Sequence, residues 1–92
     1  MTAWQFVDEP IVVQARFDAQ GQVRPVAFVW RNRTRYITEW GRQWVEETEA
    51  EAPRRCFLVQ TASGDTFELQ LELKTLRWWL HRACRQPQGF QA

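Results

Sequence analysis

Hydrophobic and polar side chains alternate most regularly over residues 66–73. The hydrophobic positions are Phe67, Leu69, Leu71 and Leu73, and the polar positions between them are Thr66, Glu68, Gln70 and Glu72. Successive side chains of a strand point to opposite faces, so this pattern predicts a β-strand with one apolar and one polar face.

Shorter runs of the same kind predict further strands at residues 10–17, 26–30, 34–40 and 54–61. Pro10 and Pro25 are placed where a strand tolerates proline, at its first position. Gly21 and Gly64 lie in polar segments that are typical of turns. Residues 31–33 form a tight turn between two strands in this interpretation, with Asn32 at a positive φ.

Two segments are ambiguous from periodicity alone. Residues 41–52 contain good helix formers, so we consider a short helix, although a mostly irregular loop after a strand ending near Trp44 is favoured. Residues 77–84 fit a helical stripe and a strand equally well.

These elements predict an all-β domain of about six short antiparallel strands, in a bent sheet or small SH3-like barrel. We expect one domain over residues 1–92, with its core within about 10–84 and tails at 1–9 and 86–92. The predicted core consists of Ile11, Val13, Phe28, Trp30, Tyr36, Phe57, Val59, Phe67, Leu69, Leu71 and Leu80.

Charge and composition restrict the functional classes. Twelve basic and eleven acidic residues give a net charge of +1, which argues against a polybasic tail or an acidic mimic of nucleic acid. Four glutamates lie within residues 46–51, and eleven of the twelve basic residues are arginine. The longest apolar run, residues 26–30, is too short for a membrane helix, and no signal peptide is visible. We therefore expect a cytoplasmic protein with no membrane contact.

The chain offers little catalytic chemistry. A strand at 77–84 would direct His81, the only histidine, away from Cys84, whereas a helix would bring the two side chains together. Cys56 and Cys84 are expected to be reduced core residues, and one histidine with two cysteines lacks the paired spacing of a zinc site. Glu68 and Glu72 would lie about 13 Å apart along one strand, too far for a glycosidase pair. We predict no enzymatic activity, no cofactor and no metal.

Arginine and tryptophan supply the candidate contact residues. Arg31, Arg33 and Arg35 surround the predicted hairpin turn beside an aromatic residue, where they would contact phosphates or a protein partner. Arg77, Trp78 and Trp79 form a second candidate group. Six tryptophans exceed what a small core can bury, so one or two should remain partly exposed. Trp78 and Trp79 are the candidates, because neighbouring residues of a strand face opposite ways, and an exposed tryptophan beside arginine is typical of a binding surface.

The order of these residues resembles a family of small bacterial domains of unknown function, the DUF6504 family. The resemblance covers residues 10–84 and rests on Pro10, Ile11, Val13, Gly21, Pro25, Phe28, Trp30, Arg31, Arg33, Tyr36, Trp40, Trp44, Gly64, Phe67, Glu68, Leu69, Trp78, Leu80 and Arg82. Asn32 departs from the glycine usual in that family, and Cys84 and Arg85 stand where an aromatic residue and an aspartate often follow. The resemblance implies an all-β fold with a strand at 77–84. It also implies a DNA-repair setting, since relatives occur beside or fused to Y-family polymerase-like proteins of mutagenesis cassettes.

Two functional hypotheses follow. The first is a non-catalytic module or adaptor that binds an unidentified protein, in a DNA-repair setting if the implied context applies. The alternative is a small β-barrel that binds single-stranded nucleic acid through its arginine and tryptophan surface. Neither the partner nor the oligomeric state follows from the residues.

Overall fold

The computed structural model describes residues 3–85, which form seven antiparallel strands and no helix. The strands are β1 (Trp4–Pro10), β2 (Val12–Phe17), β3 (Val23–Trp30), β4 (Arg33–Glu46), β5 (Arg54–Thr61), β6 (Thr66–Glu72) and β7 (Arg77–Cys84). The all-β prediction is therefore confirmed, with one strand more than expected. Because residues 3–85 contain no helix, they contain none with the length and hydrophobicity that crossing a membrane requires.

One sheet contains all seven strands, in the order β1-β7-β6-β5-β4-β3-β2. The first two strands lie at its opposite edges although only Ile11 separates them, so the sheet must curl for the chain to pass between its edges. The N–H of Ile11 donates to the carbonyl oxygen of Trp78 over 3.1 Å, which ties this crossing to β7. The result is a half-barrel with a concave, apolar interior.

Several predicted boundaries change. The tail expected at residues 1–9 is wrong, because residues 4–10 pair with β7 as β1. No helix forms within 41–52: β4 continues to Glu46, and an irregular loop connects it to β5. The strand expected at 77–84 is confirmed as β7. The predicted tail at 86–92 lies outside the described residues.

The predicted core is largely confirmed, with one clear error in β4. Ile11 and Val13 pack against the core while partly buried, and the other predicted residues except Tyr36 are buried. Tyr36 is 64% exposed, whereas its neighbour Ile37 is 7% exposed. The pairing of β4 with β5 shifts between Ile37 and Glu39 and again between Trp40 and Gln43. These irregularities change which side chains face inward, so simple alternation misassigns this strand.

The polar face of β6 is buried as well. Glu68 is 2% and Gln70 is 3% exposed, although their alternation with leucines suggests a solvent-facing side. One Glu68 oxygen accepts from Arg82 Nε over 2.7 Å and the other accepts from Gln70 Nε2 over 2.8 Å, while Arg54 Nη1 donates to Gln70 over 3.1 Å. Because β6 lies between β5 and β7 in the sheet, long side chains from these two neighbours cover its polar face.

Candidate anion-binding site

A two-residue turn joins β3 to β4 and presents the first group of candidate arginines. Arg31 and Asn32 have φ angles of 53° and 60°, and Trp30 pairs with Arg33 across the turn. Two successive positive φ angles are the geometry that matches the twist of a hairpin. The prediction for Asn32 is therefore confirmed, and Arg31 adopts the same region without having been expected to.

The strand that leaves this turn, β4, places two arginines at one end of the half-barrel. Arg33 and Arg35 are two residues apart on β4, so their side chains project to the same side of the sheet. Arg35 lies opposite Phe28, whose side chain is in the core, which directs Arg35 toward the interior. The structure thus brings Arg31, Arg33 and Arg35 to one opening, as the sequence suggested.

This opening is a cavity of about 510 Å³, which we call the basic mouth. The residues that line it include Trp30, Arg31, Arg33, Arg35, Phe67 and Arg85. The β3–β4 hairpin, the turn between β5 and β6, and the ends of β1 and β7 meet around it. Asp65 is the one carboxylate lining it within residues 3–85, so four guanidinium groups face a single acidic side chain.

The arginines of the basic mouth repel one another. The pKa of Arg35 is lowered from its ordinary value, first by burial and then by the charge of Arg33. Arg31 and Arg85 lower this pKa further, and Asp65 opposes them. Partial desolvation and neighbouring cations both disfavour the charged guanidinium, and an anion in the cavity would offset that repulsion.

Trp30 forms part of the wall beneath these arginines and is 8% exposed. The guanidinium carbons of Arg31 and Arg35 lie 4.3 and 4.9 Å from the centroid of its ring, and the ring meets Phe67 edge to face at 5.8 Å. Trp30 Nε1 and Arg35 Nε are both buried, and neither has a hydrogen-bond partner among the described residues. Buried donors normally have partners, so two such N–H groups beside one cavity indicate a site that suits a hydrogen-bond acceptor.

The second group of candidate residues lies elsewhere. Arg77 begins β7 and Cys84, beside the basic mouth, ends it, so about 23 Å of strand separates them. Trp78 faces inward and packs on Phe57 with ring centroids 5.5 Å apart. Trp79 faces outward, and the guanidinium carbon of Arg77 lies 6.0 Å from the centroid of its ring. The two tryptophans thus face opposite ways, as expected for a strand, but both are partly buried and neither reaches the first group.

Sequence reasoning missed Asp65 and Arg85. They lie about 30 and 50 positions after Arg35 in the chain, so only the folding of the sheet brings them beside it. The turn signal at Gly64 placed Asp65 in a loop but said nothing about which strand ends that loop would meet. No local signal distinguishes Arg85 from any other arginine.

The remaining reactive side chains are engaged in packing. His81 Nδ1 lies 2.6 Å from Asp8 Oδ1, and its ring meets the edge of Phe6 at a centroid distance of 5.4 Å. Cys56 and Cys84 are free and buried. They were expected to be half-buried core residues, and they are buried more completely than that, at 0% and 1% exposure.

One group of potential metal ligands occurs within residues 3–85: Glu46, Cys56 and Glu68 have ligand atoms within 4.8 Å of one another. Burial, together with the charges of Glu46 and Glu68, raises the pKa of the Cys56 thiol to about 12. Both Glu68 oxygens already accept hydrogen bonds. A protonated thiol and an occupied carboxylate suit a metal ion poorly, so we assign no metal to this group.

The comparisons with known proteins provide a family and nothing on activity. No curated protein and no solved structure matches this chain. A family model described as "Domain of unknown function (DUF6504)" matches residues 1–85, which includes every described strand. The protein therefore belongs to the DUF6504 family.

Proposed function

We propose that this domain binds single-stranded nucleic acid through the basic mouth, without catalysing a reaction. The observation that carries the proposal is the convergence of four arginines from the β3–β4 hairpin and the end of β7 on one cavity that has a single carboxylate among residues 3–85. Guanidinium groups bind phosphate oxygens through paired hydrogen bonds, and most protein contacts to nucleic acid go to phosphate and sugar. The low net charge of the chain does not oppose this, because four of its twelve basic residues line this one cavity.

The shape of the basic mouth favours a single strand. A cavity of about 510 Å³ lies within the range of sites that enclose a small molecule. It admits one nucleotide, whereas a duplex is too wide to enter. Trp4 is partly exposed and lines the rim, and the guanidinium of Arg82 covers one face of its ring, with the guanidinium carbon 4.2 Å from the ring centroid. Aromatic faces of this kind stack on bases of any sequence.

Binding to a protein partner is the second candidate, and a different surface favours it. On the outer side of the sheet, Val12 pairs with Val29, and these side chains are 73% and 40% exposed. Tyr36, 64% exposed, faces the same way on β4. An apolar stripe with an exposed tyrosine is typical of protein interaction surfaces. A DNA-repair setting, which the resemblance implies, and a cytoplasmic location are further proposals under either function.

A salt-dependent binding titration tests the first candidate. Fluorescence anisotropy compares a labelled single strand with the matching duplex, and the triple variant Arg31→Ala/Arg33→Ala/Arg35→Ala with the wild type. We expect micromolar binding of the single strand at about 50 mM salt that weakens as salt increases. Losing three phosphate contacts should reduce the slope of log K against log[salt] by roughly 2, at about 0.7 per contact.

Arg16→Ala is the matched control. Arg16 is exposed on β2 and pairs with Arg24, about 20 Å of strand from Trp30, so Arg16→Ala removes one charge away from the basic mouth and matches the single variant Arg33→Ala, which removes one charge within it. Arg16→Ala should leave binding nearly unchanged, and urea unfolding confirms that each variant is folded. Absence of binding at low salt, or equal binding by the triple variant and the wild type, would refute the proposal.

The second candidate is tested by placing a photo-crosslinking amino acid at Tyr36, and at Lys74 as an exposed control in the turn between β6 and β7. A defined adduct from position 36 that position 74 does not form supports protein docking on the outer stripe. Equal labelling from both positions contradicts it.

A further inference from the structure

We infer that the basic mouth accepts a terminal phosphomonoester, the phosphate at the end of a nucleotide or strand, in preference to an internal phosphodiester. This inference rests on the proposed binding of nucleic acid. It specifies which chemical group enters the cavity and which residues distinguish it.

The first argument is the shape of the cavity. Its wall includes Trp30, Phe67 and Ala83, which are 8%, 1% and 6% exposed and belong to the hydrophobic core. The cavity therefore extends inward from the open end of the half-barrel to the core. An internal phosphate has a chain on both sides, and both would have to leave past the same arginines. A terminal phosphate has a single attached chain and can enter end-on.

The second argument is charge. Four arginines and Asp65 leave a formal surplus of three positive charges around the cavity. A phosphodiester carries one negative charge, whereas a phosphomonoester carries about −1.5 to −2 near neutral pH and has three terminal oxygens. The monoester therefore offsets more of the repulsion that lowers the pKa of Arg35 and accepts more hydrogen bonds at once.

The third argument is the pair of buried donors. Trp30 Nε1 and Arg35 Nε have no partner among the described residues and are shielded from solvent. The guanidinium groups of Arg31 and Arg35 lie over the ring of Trp30. A modest rotation of these groups toward an anion would uncover part of that ring. One terminal oxygen of a monoester could then accept hydrogen bonds from Trp30 Nε1 and Arg35 Nε. Its other two terminal oxygens would contact the guanidinium groups nearer the rim.

The test uses one labelled single strand in three forms, with a 5′-phosphate, a 3′-phosphate or hydroxyl groups at both ends. We expect one phosphorylated form to bind the full-length protein at least about tenfold more tightly than the hydroxyl form. Competition with a free nucleoside monophosphate shows whether the phosphate that binds belongs to a free nucleotide or to the end of a strand. Displacement at concentrations similar to those of the oligonucleotide indicates a free nucleotide as ligand, and weak displacement indicates a strand end.

The variant Arg35→Lys separates recognition of the terminal phosphate from general attraction. Lysine keeps the positive charge but lacks Nε and the planar fork. The preference for the phosphorylated strand should fall toward one, because the substitution weakens binding of the phosphorylated form more than binding of the hydroxyl form. Arg16→Lys is the control and should keep the full preference. If Arg35→Lys unfolds, Arg33→Lys at the exposed rim makes the same comparison, with a smaller expected loss.

The results distinguish the two proposals. Equal, salt-sensitive binding of all three forms would overturn the inferred preference for a terminal phosphate but would still support single-strand binding. An unchanged preference in Arg35→Lys would also overturn the inference, because Arg35 would not distinguish the two groups. Failure of every form to bind at low salt would overturn both proposals.

Discussion

Replacing Glu68 with alanine should destabilise the domain far more than replacing Glu72, although the two occupy equivalent positions in the alternating pattern of β6. Glu68 is 2% exposed and accepts charge-assisted hydrogen bonds from Arg82 and Gln70. The Glu72 side chain is 20% exposed and lies 3.7 Å from Arg54. Burial rather than sequence pattern sets the difference.

The expected magnitude follows from these contacts. Removing one partner of a buried ion pair costs about 3–5 kcal/mol because the other charge is left without compensation. The Arg82 side chain is 29% exposed and can regain water, which places Glu68→Ala near the lower limit, at about 3 kcal/mol. A domain of this size is stable by about 5–14 kcal/mol, so this loss is a large part of the total. Glu72→Ala should cost about 1 kcal/mol or less.

Urea unfolding followed by tryptophan fluorescence measures both variants. With a slope of about 1–1.5 kcal/mol per molar urea, Glu68→Ala should lower the midpoint by about 2–3 M, and Glu72→Ala by less than about 1 M. Arg82→Ala and the double variant complete a cycle in which we expect a coupling energy of about 1–2 kcal/mol. Equal costs for Glu68→Ala and Glu72→Ala, or additive effects in the cycle, would refute the reasoning.

Three further predictions use the same unfolding assay. Ile37→Ala should cost about 2–4 kcal/mol and Tyr36→Ala about 1 kcal/mol or less, and the reverse order would contradict the described shift in β4. Asn32→Gly should leave stability nearly unchanged, whereas Asn32→Ala should cost about 1 kcal/mol because alanine disfavours a positive φ; equal midpoints for the two would count against the turn geometry. Because folding raises the pKa of Cys56 to about 12, its contribution to stability is present below about pH 9 and is lost as the pH rises toward 12. Wild type should therefore lose more stability over that range than Cys56→Ala, and parallel pH profiles would exclude the effect.

The hairpin and β4 show how far local pattern reaches. Asn32 marked the turn correctly, because a two-residue hairpin demands positive φ angles from residues that tolerate them. Tyr36 was assigned to the core because it continues the alternation of its neighbours. The bulges in β4 reverse that assignment, and they depend on how β4 aligns with β5, which the residues of β4 alone do not reveal.

The first strand shows a related limit. Residues 4–9 read as a tail because their apolar positions do not alternate cleanly. Asp8 has a φ of 51°, and the pairing of β1 with β7 is irregular between Phe6 and Glu9, so no simple period describes this strand. Its existence depends on the edge that β7 offers, and β7 lies about 70 residues away in the chain.

The sequence by itself determined five of the seven strands, the turns at Gly21, Asn32 and Gly64, and the inner face of β6, because alternation and turn chemistry act between near neighbours. It also placed Arg31, Arg33 and Arg35 together, since one hairpin carries all three. Only the tertiary structure decided that Glu68 is buried and that Asp65 and Arg85 join Arg35 around one cavity. These outcomes arise because the sheet curls until its two edge strands, β1 and β2, come close enough to be joined by Ile11, which requires contacts between residues distant in the chain. The basic mouth exists because that curling brings the ends of separate strands to one opening.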